Sequence, residues 1–304
     1  MGTSETTEYD VVVIGGGPAG CSAGLFTARY GLDTLVFDRG RSSIQRCAHL
    51  ENYLGFPAGI DIETLYDLMH DHAGEAGCEI APDLVESVDR PDDGDGFVVK
   101  PQEGDAVTTR RVVAATRYDG EYLRGLDDRS AMFEEYDHGD EIRETFDSEY
   151  ADRDGTTPID GLYVASPSAD ADRQAIMAAG RGARVGLRVV ADAREERGYP
   201  EAVADHYDWM REASTLDGEW SDRDRWRERF DEQFPDGHDV GEERRVELRE
   251  RDIDRSFETY LSDDEIQQRG VHGQKRLLDH VDDDLILDAA REIEAERRPN
   301  EVSN

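Results

Sequence analysis

The chain has 304 residues, enough for one large domain or two smaller ones, and its 37% hydrophobic and 35% charged residues predict a core under a heavily charged surface. Its net charge of −37, from 72 acidic against 35 basic residues, argues against nucleic acid or an anionic membrane as a partner, since both need basic contacts. No segment approaches the roughly 18 consecutive apolar residues of a membrane span. The polar first eight residues lack a signal-peptide pattern, so a soluble, cytoplasmic protein is expected.

In chain order, Tyr9–Ile14 reads as an apolar strand that runs straight into Gly15-Gly16-Gly17-Pro18-Ala19-Gly20. This G-x-G-x-x-G turn opens an Ala-rich helical stretch from Cys21 to Tyr30, and Asp33–Phe37 reads as a second strand ending on Asp38. The acid stands 18 positions after Gly20, close to the roughly 20 expected of a carboxylate that takes a ribose hydroxyl. Gly15 permits the tight turn, Gly17 lets the backbone approach a pyrophosphate, and Gly20 lets helix pack close on strand. The helix N-terminus then presents unpaired N–H groups and a positive dipole end to the phosphates. Strand, turn, helix, strand and acid in this order predict a dinucleotide site.

A loop from Arg39 through Gln45 to Cys47 follows, able to run along a cofactor. Asp61 is placed to cap a helix from about Ile62 to Ala76, with Leu65, Leu68, Met69 and Ala73 at helical spacing. Glu79–Ala81 reads as a short strand; Leu84–Val88, Gly96–Lys100 and Ala106–Thr109 read as a β-meander with turns at Pro91–Gly94 and Glu103–Asp105. Arg111–Thr116 reads as a separate buried strand, whereas 117–156 is rich in charge and carries no clear pattern. Ile159–Ala165 reads as a turn into another buried strand. A long helix from Asp172 to about Glu196 then shows a small-residue face (Ala175, Ala178, Ala179, Gly182, Ala183, Gly186) suited to close approach by a cofactor or a strand layer. Gly180, Gly182 and Gly186 imitate a second fingerprint, but lie within a helix at the wrong spacing. Past Gly198-Tyr199-Pro200 the composition shifts to Arg/Glu/Asp-dense amphipathic helices anchored by Trp209, Met210, Trp220, Trp226, Phe230, Phe257, Tyr260, Leu277, Leu278 and Leu285–Leu287. These anchors are expected to be core, packed on the first domain or on a partner subunit.

Cys21, Cys47 and Cys78 are too far apart for a disulfide framework or a C-x-x-C pair. His49, His70 and His72 lack flanking ligands, so no metal site is expected and the histidines read as solvated or lightly packed.

This order of motifs resembles the thioredoxin-reductase-like flavoproteins over about residues 8–197. The likeness is carried by Gly15–Gly20, by Glu51-Asn52-Tyr53-Leu54-Gly55-Phe56-Pro57 with Gly59-Ile60, and by 157–180. The resemblance implies an α/β, Rossmann-like FAD-binding domain with a central parallel sheet and β-meander (1–197), plus an acidic helical C-terminal extension (198–304). It implies that Gly15, Gly17, Pro18, Ala19 and Gly20 bind the ADP half of FAD and that Asp38, with Arg39 beside it, holds the adenosine ribose. Gln45 falls where the family loop reaches towards the flavin. Arg173-Gln174-Ala175 opens the helix whose N-terminus faces the flavin pyrimidine and favours negative charge on the reduced ring.

Three departures qualify it. The family's Gly-Asp is Ser166-Pro167 here, with Ser168, Asp170 or Asp172 as substitutes for the missing carboxylate. Residues 117–156 stand in place of a whole NADPH domain, and the C-x-x-C of that domain is absent. The implied protein is an FAD-dependent oxidoreductase whose electrons come from diffusible NAD(P)H or a redox protein, with a homodimer as its expected assembly. Cys47 is the candidate catalytic thiol beside the flavin; the alternative for it is a half-buried structural thiol. A non-catalytic FAD/ADP-binding module acting through its tail is the alternative function, and NAD at the fingerprint a third.

Of the basic residues only Lys100 and Lys275 are lysine, and the acids are spread along the whole chain rather than gathered in a tail. That distribution predicts a halophilic protein, in which salt shortens self-repulsion to a few Å. Dialysis into low salt, followed by circular dichroism, should then unfold it; a spectrum indifferent to salt would end the halophilic reading.

Overall fold

Val11, Val12 and Val13 have no exposed surface, which places strand β1 (Glu8–Ile14) inside a sheet covered on both faces. Residues 7–91, 94–117, 119–139, 141–168, 173–235 and 237–301 are described by the computed structural model. Asp92 and Asp93 of the expected 91–94 turn, like most of the polar N-terminal start, lie outside them.

The chain divides into two units, Met1–Asp208 with Glu228–Arg249, and Trp209–Arg227 with Glu250–Asn304. In the first, α1 (Pro18–Tyr30) crosses from β1 to β2 (Thr34–Phe37), and the two strands pair in parallel, Val11 opposite Thr34 and Ile14 opposite Phe37. After α2 (Ile62–Glu75), capped by Asp61 Oδ1 accepting the Thr64 amide at 2.9 Å, β3 (Glu79–Ala81) joins the edge. The meander is β4 (Val85–Asp89), β5 (Phe97–Pro101) and β6 (Val107–Ala115), giving the order β3-β2-β1-β6-β5-β4.

Strand β6 corrects the sequence reading, which separated 106–109 from 111–116. One unbroken strand pairs with β1 along its length, with β5 antiparallel at its start, and from Val112 onwards in parallel with β9 (Leu162–Ser166). Its continuity comes from burial: Thr109 and Arg111 are both buried, and the Arg111 guanidinium reaches Glu196 at 2.7 Å. The patternless region holds a short α3 (Arg129–Met132) and a hairpin of β7 (Phe133–His138) and β8 (Glu141–Phe146). Met132, Phe133 and Phe146 join the core under the sheet, while Arg124 and Arg129 converge on Glu144. Strand β9 (Leu162–Ser166) leads to α4 (Ala175–Glu196); the start expected at Asp172 lies outside the described residues.

On the small-residue face of α4, Gly182 and Gly186 meet helix α1, whereas Ala175 and Ala178 at its start line a pocket. A Cβ at Gly182 would stand 2.0 Å from the Ala19 carbonyl oxygen, and one at Gly186 2.7 Å from that of Ala23. The other side of α1 is equally close to the turn, since a Cβ at Gly20 would meet the Gly15 oxygen at 1.7 Å. The segment 228–249, from α5 (Arg223–Gln233) and α6 (Glu242–Glu258), supplies Phe230, Phe234 and Leu248 to a cluster with Tyr199.

In the second unit, β10 (Arg211–Glu212) pairs with β11 (Tyr260–Leu261), and Trp226 packs edge-on against Trp220 and Phe257. Helix α7 (Asp263–Leu278) starts with a capping box between Ser262 and Glu265, and α8 (Asp283–Glu301) follows. Of the expected anchors, Trp209, Met210, Leu277, Leu278, Leu285 and Leu287 are exposed on the single chain, Leu285 by 65%. No helix is long and apolar enough to cross a membrane among the described residues.

Gly182→Val should destabilise the protein by about 3 kcal/mol or more, because backbone cannot yield as a side chain can. Gly180→Ala, with no atom within 4 Å of the new methyl group, should be neutral or stabilise by up to about 1 kcal/mol. Urea unfolding of the two variants checks the contrast.

Candidate functional site

Parallel strands leave a crevice at their carboxyl ends, and here β1, β2 and β6 end together at Ile14, Phe37 and Ala115. The turn after β1 holds its shape because Gly15 sits at φ 114°, where a Cβ would strike the Ala115 oxygen at 2.5 Å. A Cβ at Gly16 would strike the Asp38 side chain at 2.4 Å. At Gly17 it would meet only Ser42, with Oγ at 2.7 Å, and otherwise project into open space.

The crevice has two lobes. The first is lined by Gly15–Gly17, Asp38, Arg39, Arg41, Asp83 and Tyr122, the second by Pro18, Ala19, Cys47, Arg173, Gln174 and Ala175. Gly17, Ser42, Ser43, Ala115 and Arg117 line both and form the waist between them. Of the residues assigned to the cofactor or to catalysis, Gly20 and Gln45 line neither lobe: Gly20 is buried against Gly15, and Gln45 is exposed on a 3-10 turn. Cys47 is exposed at the second lobe, not half-buried. Cys21 is buried and donates to the Gly16 carbonyl at 3.1 Å, and burial pushes the Cys78 thiol up to about 12. Asp170 and Asp172 lie outside the described residues. Gln174 Oε1 accepts the Asn52 amide at 2.8 Å, which ties the Glu51–Pro57 segment to the start of α4.

Asp38 is only 6% exposed and is already engaged. Its Oδ1 accepts the Gly40 amide at 3.0 Å; its Oδ2 accepts from the Tyr66 hydroxyl and from His70 Nε2, the latter at 3.1 Å. Burial alone would raise this carboxyl, but the hydrogen bonds of His70, Tyr66 and Gly40 hold it below its ordinary value. Burial and the bond to Asp38 push the Tyr66 phenol up. The bond to Asp38, helped by Cys21, lifts the His70 imidazole from 6.5 to about 10, so it is a cation at neutral pH. His70 was read from sequence as lightly packed, and the correction follows from α2, which places Tyr66 and His70 one turn apart on the face turned to Asp38. The Tyr66/His70 spacing at i and i+4 was the available signal. Asp83, turned inward by the amides of Leu84, Glu103 and Gly104, and Arg117 are further residues that sequence reasoning missed. No cluster of metal-binding side chains occurs among the described residues.

Residues 9–144, under half of the chain, match the family model "Pyridine nucleotide-disulphide oxidoreductase". Thioredoxin reductase of Streptomyces clavuligerus is 36% identical over 110 residues, covering 35% of this chain and 34% of the relative. That of Listeria monocytogenes serovar 1/2a is 44% identical over 89 residues, 28% of each chain. The chain thus spans about a third or less of the curated relatives it matches. A thioredoxin reductase structure from Gloeobacter violaceus superposes with a TM-score of 0.51 at 17% identity, covering 67% of this chain and 98% of that one, and supports the fold alone. The N-terminal region is therefore thioredoxin-reductase-like, with the Rossmann-like fold of a family whose cofactor is FAD.

Since folding raises the His70 value above 6.5, its contribution to stability is fully present below about pH 6.5 and is lost as pH climbs through about 10. Urea midpoints should fall across that window in the natural protein and stay flat across it in His70→Gln, apart from changes common to both.

Proposed function

We propose that the two-lobed crevice binds FAD and that the protein is a thioredoxin-reductase-like, FAD-dependent oxidoreductase. The observation that carries this reading is a pair of adjoining pockets, one lined by Asp38 and the other by Gln174, that share Gly17 of the glycine turn, Ser42, Ser43, Ala115 and Arg117. The residues suit the adenylate half: Gly17 leaves the wall bare, and Asp38 Oδ1 keeps an acceptor position for a ribose hydroxyl after Gly40 takes one. Gly15–Gly20, Asp38 and Arg39 would hold that half; Arg173, Gln174 and Ala175 would meet the other.

FAD supplies the electron chemistry, and the protein supplies position and charge. Its reductant is diffusible NAD(P)H or a redox protein, because residues 117–156 hold a hairpin in place of a second nucleotide domain, and no C-x-x-C relays electrons to a dithiol. Cys47, exposed at the second lobe, is the candidate thiol beside the flavin. The remainder of the reading is a homodimer in a high-salt cytoplasm, with 1–197 as the cofactor domain and 198–304 as its acidic helical extension.

Ser166-Pro167 in place of Gly-Asp favours a second reading, a non-catalytic module that binds FAD or ADP. Purified protein should be yellow, with absorbance near about 450 nm that dithionite or NAD(P)H bleaches. Colourless protein that binds ADP would establish the module instead, and protein that binds neither would sink both.

A further inference from the structure

We propose that Arg117 is a diphosphate-binding residue, a guanidinium held at the waist of the crevice to pair with the linking phosphates of the dinucleotide. The inference rests on the reading of the crevice as a dinucleotide site and adds a ligand to it that the glycine fingerprint does not contain.

Three observations carry it. Arg117 is the one non-glycine residue with positive φ among the described residues, at 66°. A side chain in that left-handed region costs about 1 kcal/mol or more, and such outliers gather where a binding geometry requires them. Second, the residue follows β6 by two positions and so stands at the carboxyl end of the central strand, facing the glycine turn. Third, it lines both lobes, and its Nη1 donates to Ser43 Oγ at 2.7 Å across the waist. With the ribose at Asp38 and the far end of the ligand at Gln174, the phosphates have to pass between Gly17, Ser42, Ser43 and Arg117.

Charge gives the reason for an arginine there. On a chain of net charge −37 a dinucleotide meets a repulsive field. Of the other cations near the first lobe, His70 is engaged by Asp38, Arg39 lies 3.6 Å from Asp119, and Arg41 lines the first lobe but not the waist. Arg117 reaches across the waist to the Ser43 hydroxyl, and its planar fork suits two phosphate oxygens at once.

The test titrates ADP, FAD and adenosine into the apoprotein of the natural chain, Arg117→Gln and Arg117→Gly, by calorimetry at two salt concentrations. The expected result is a loss of about tenfold or more for ADP and FAD in both variants. Adenosine affinity should be unchanged, and the salt dependence of ADP binding weaker. Arg117→Gly should also raise the melting temperature of the apoprotein by about 2 °C, since glycine accepts the left-handed backbone. A purely structural arginine would give the reverse, a lower melting temperature with ADP and adenosine weakened together, and that result overturns the inference. So does natural affinity for ADP in either variant. If the natural chain binds neither ADP nor FAD, the dinucleotide reading itself fails, an outcome distinct from variants that match a binding-competent parent.

Discussion

Helix α1 touches its neighbours backbone to backbone, and the rest of the first unit is arranged around those contacts. Gly20 brings it against the Gly15 oxygen, and Gly182 and Gly186 bring α4 against the carbonyls of Ala19 and Ala23. A single methyl group at Gly20 or Gly182 would overlap main-chain atoms that have nowhere to go. Close packing here positions the N-terminus of α1 over the ends of β1 and β6, and the start of α4 at the far lobe.

The electrostatics of that crevice oppose those of the surface. The chain is strongly acidic, yet its buried carboxylate at Asp38 faces a protonated His70, and Asp83 is turned towards three backbone amides. Arg39, Arg41 and Arg117 remain along the walls. An anionic ligand would thus meet a locally compensated interior inside a repulsive envelope. High salt screens the envelope more than the interior, so the two features are compatible in one molecule.

Much of this was legible in the chain. Strand β1, the glycine turn, β2 and Asp38 were readable because each is set by local steric rules: glycine where φ is positive or a Cβ has no room, and alternate or continuous branched residues where a strand is buried. Asp61 was readable as a cap because capping is a contact over three residues. The hairpin β7–β8 was not readable, since half of its strand residues are charged and it is held by pairing and by Phe133 and Phe146 reaching a distant core. In the tail the leucines repeat as core residues do, and those of α7 and α8 are exposed on the single chain.

By itself the sequence determined that a dinucleotide-type β-α-β unit stands near the start of the chain, that its three cysteines form no C-x-x-C, and that the chain is strongly acidic. All three depend on residue identity or on spacing within a few turns of chain. Only the tertiary structure decided that β6 is one strand, that α4 spends its glycines on α1, that His70 and Tyr66 close on Asp38, and that Arg117 stands across the waist. Those facts depend on contacts between segments separated by 28 to 74 positions or more, where no local propensity carries information and the packing of the whole layer chooses the partner.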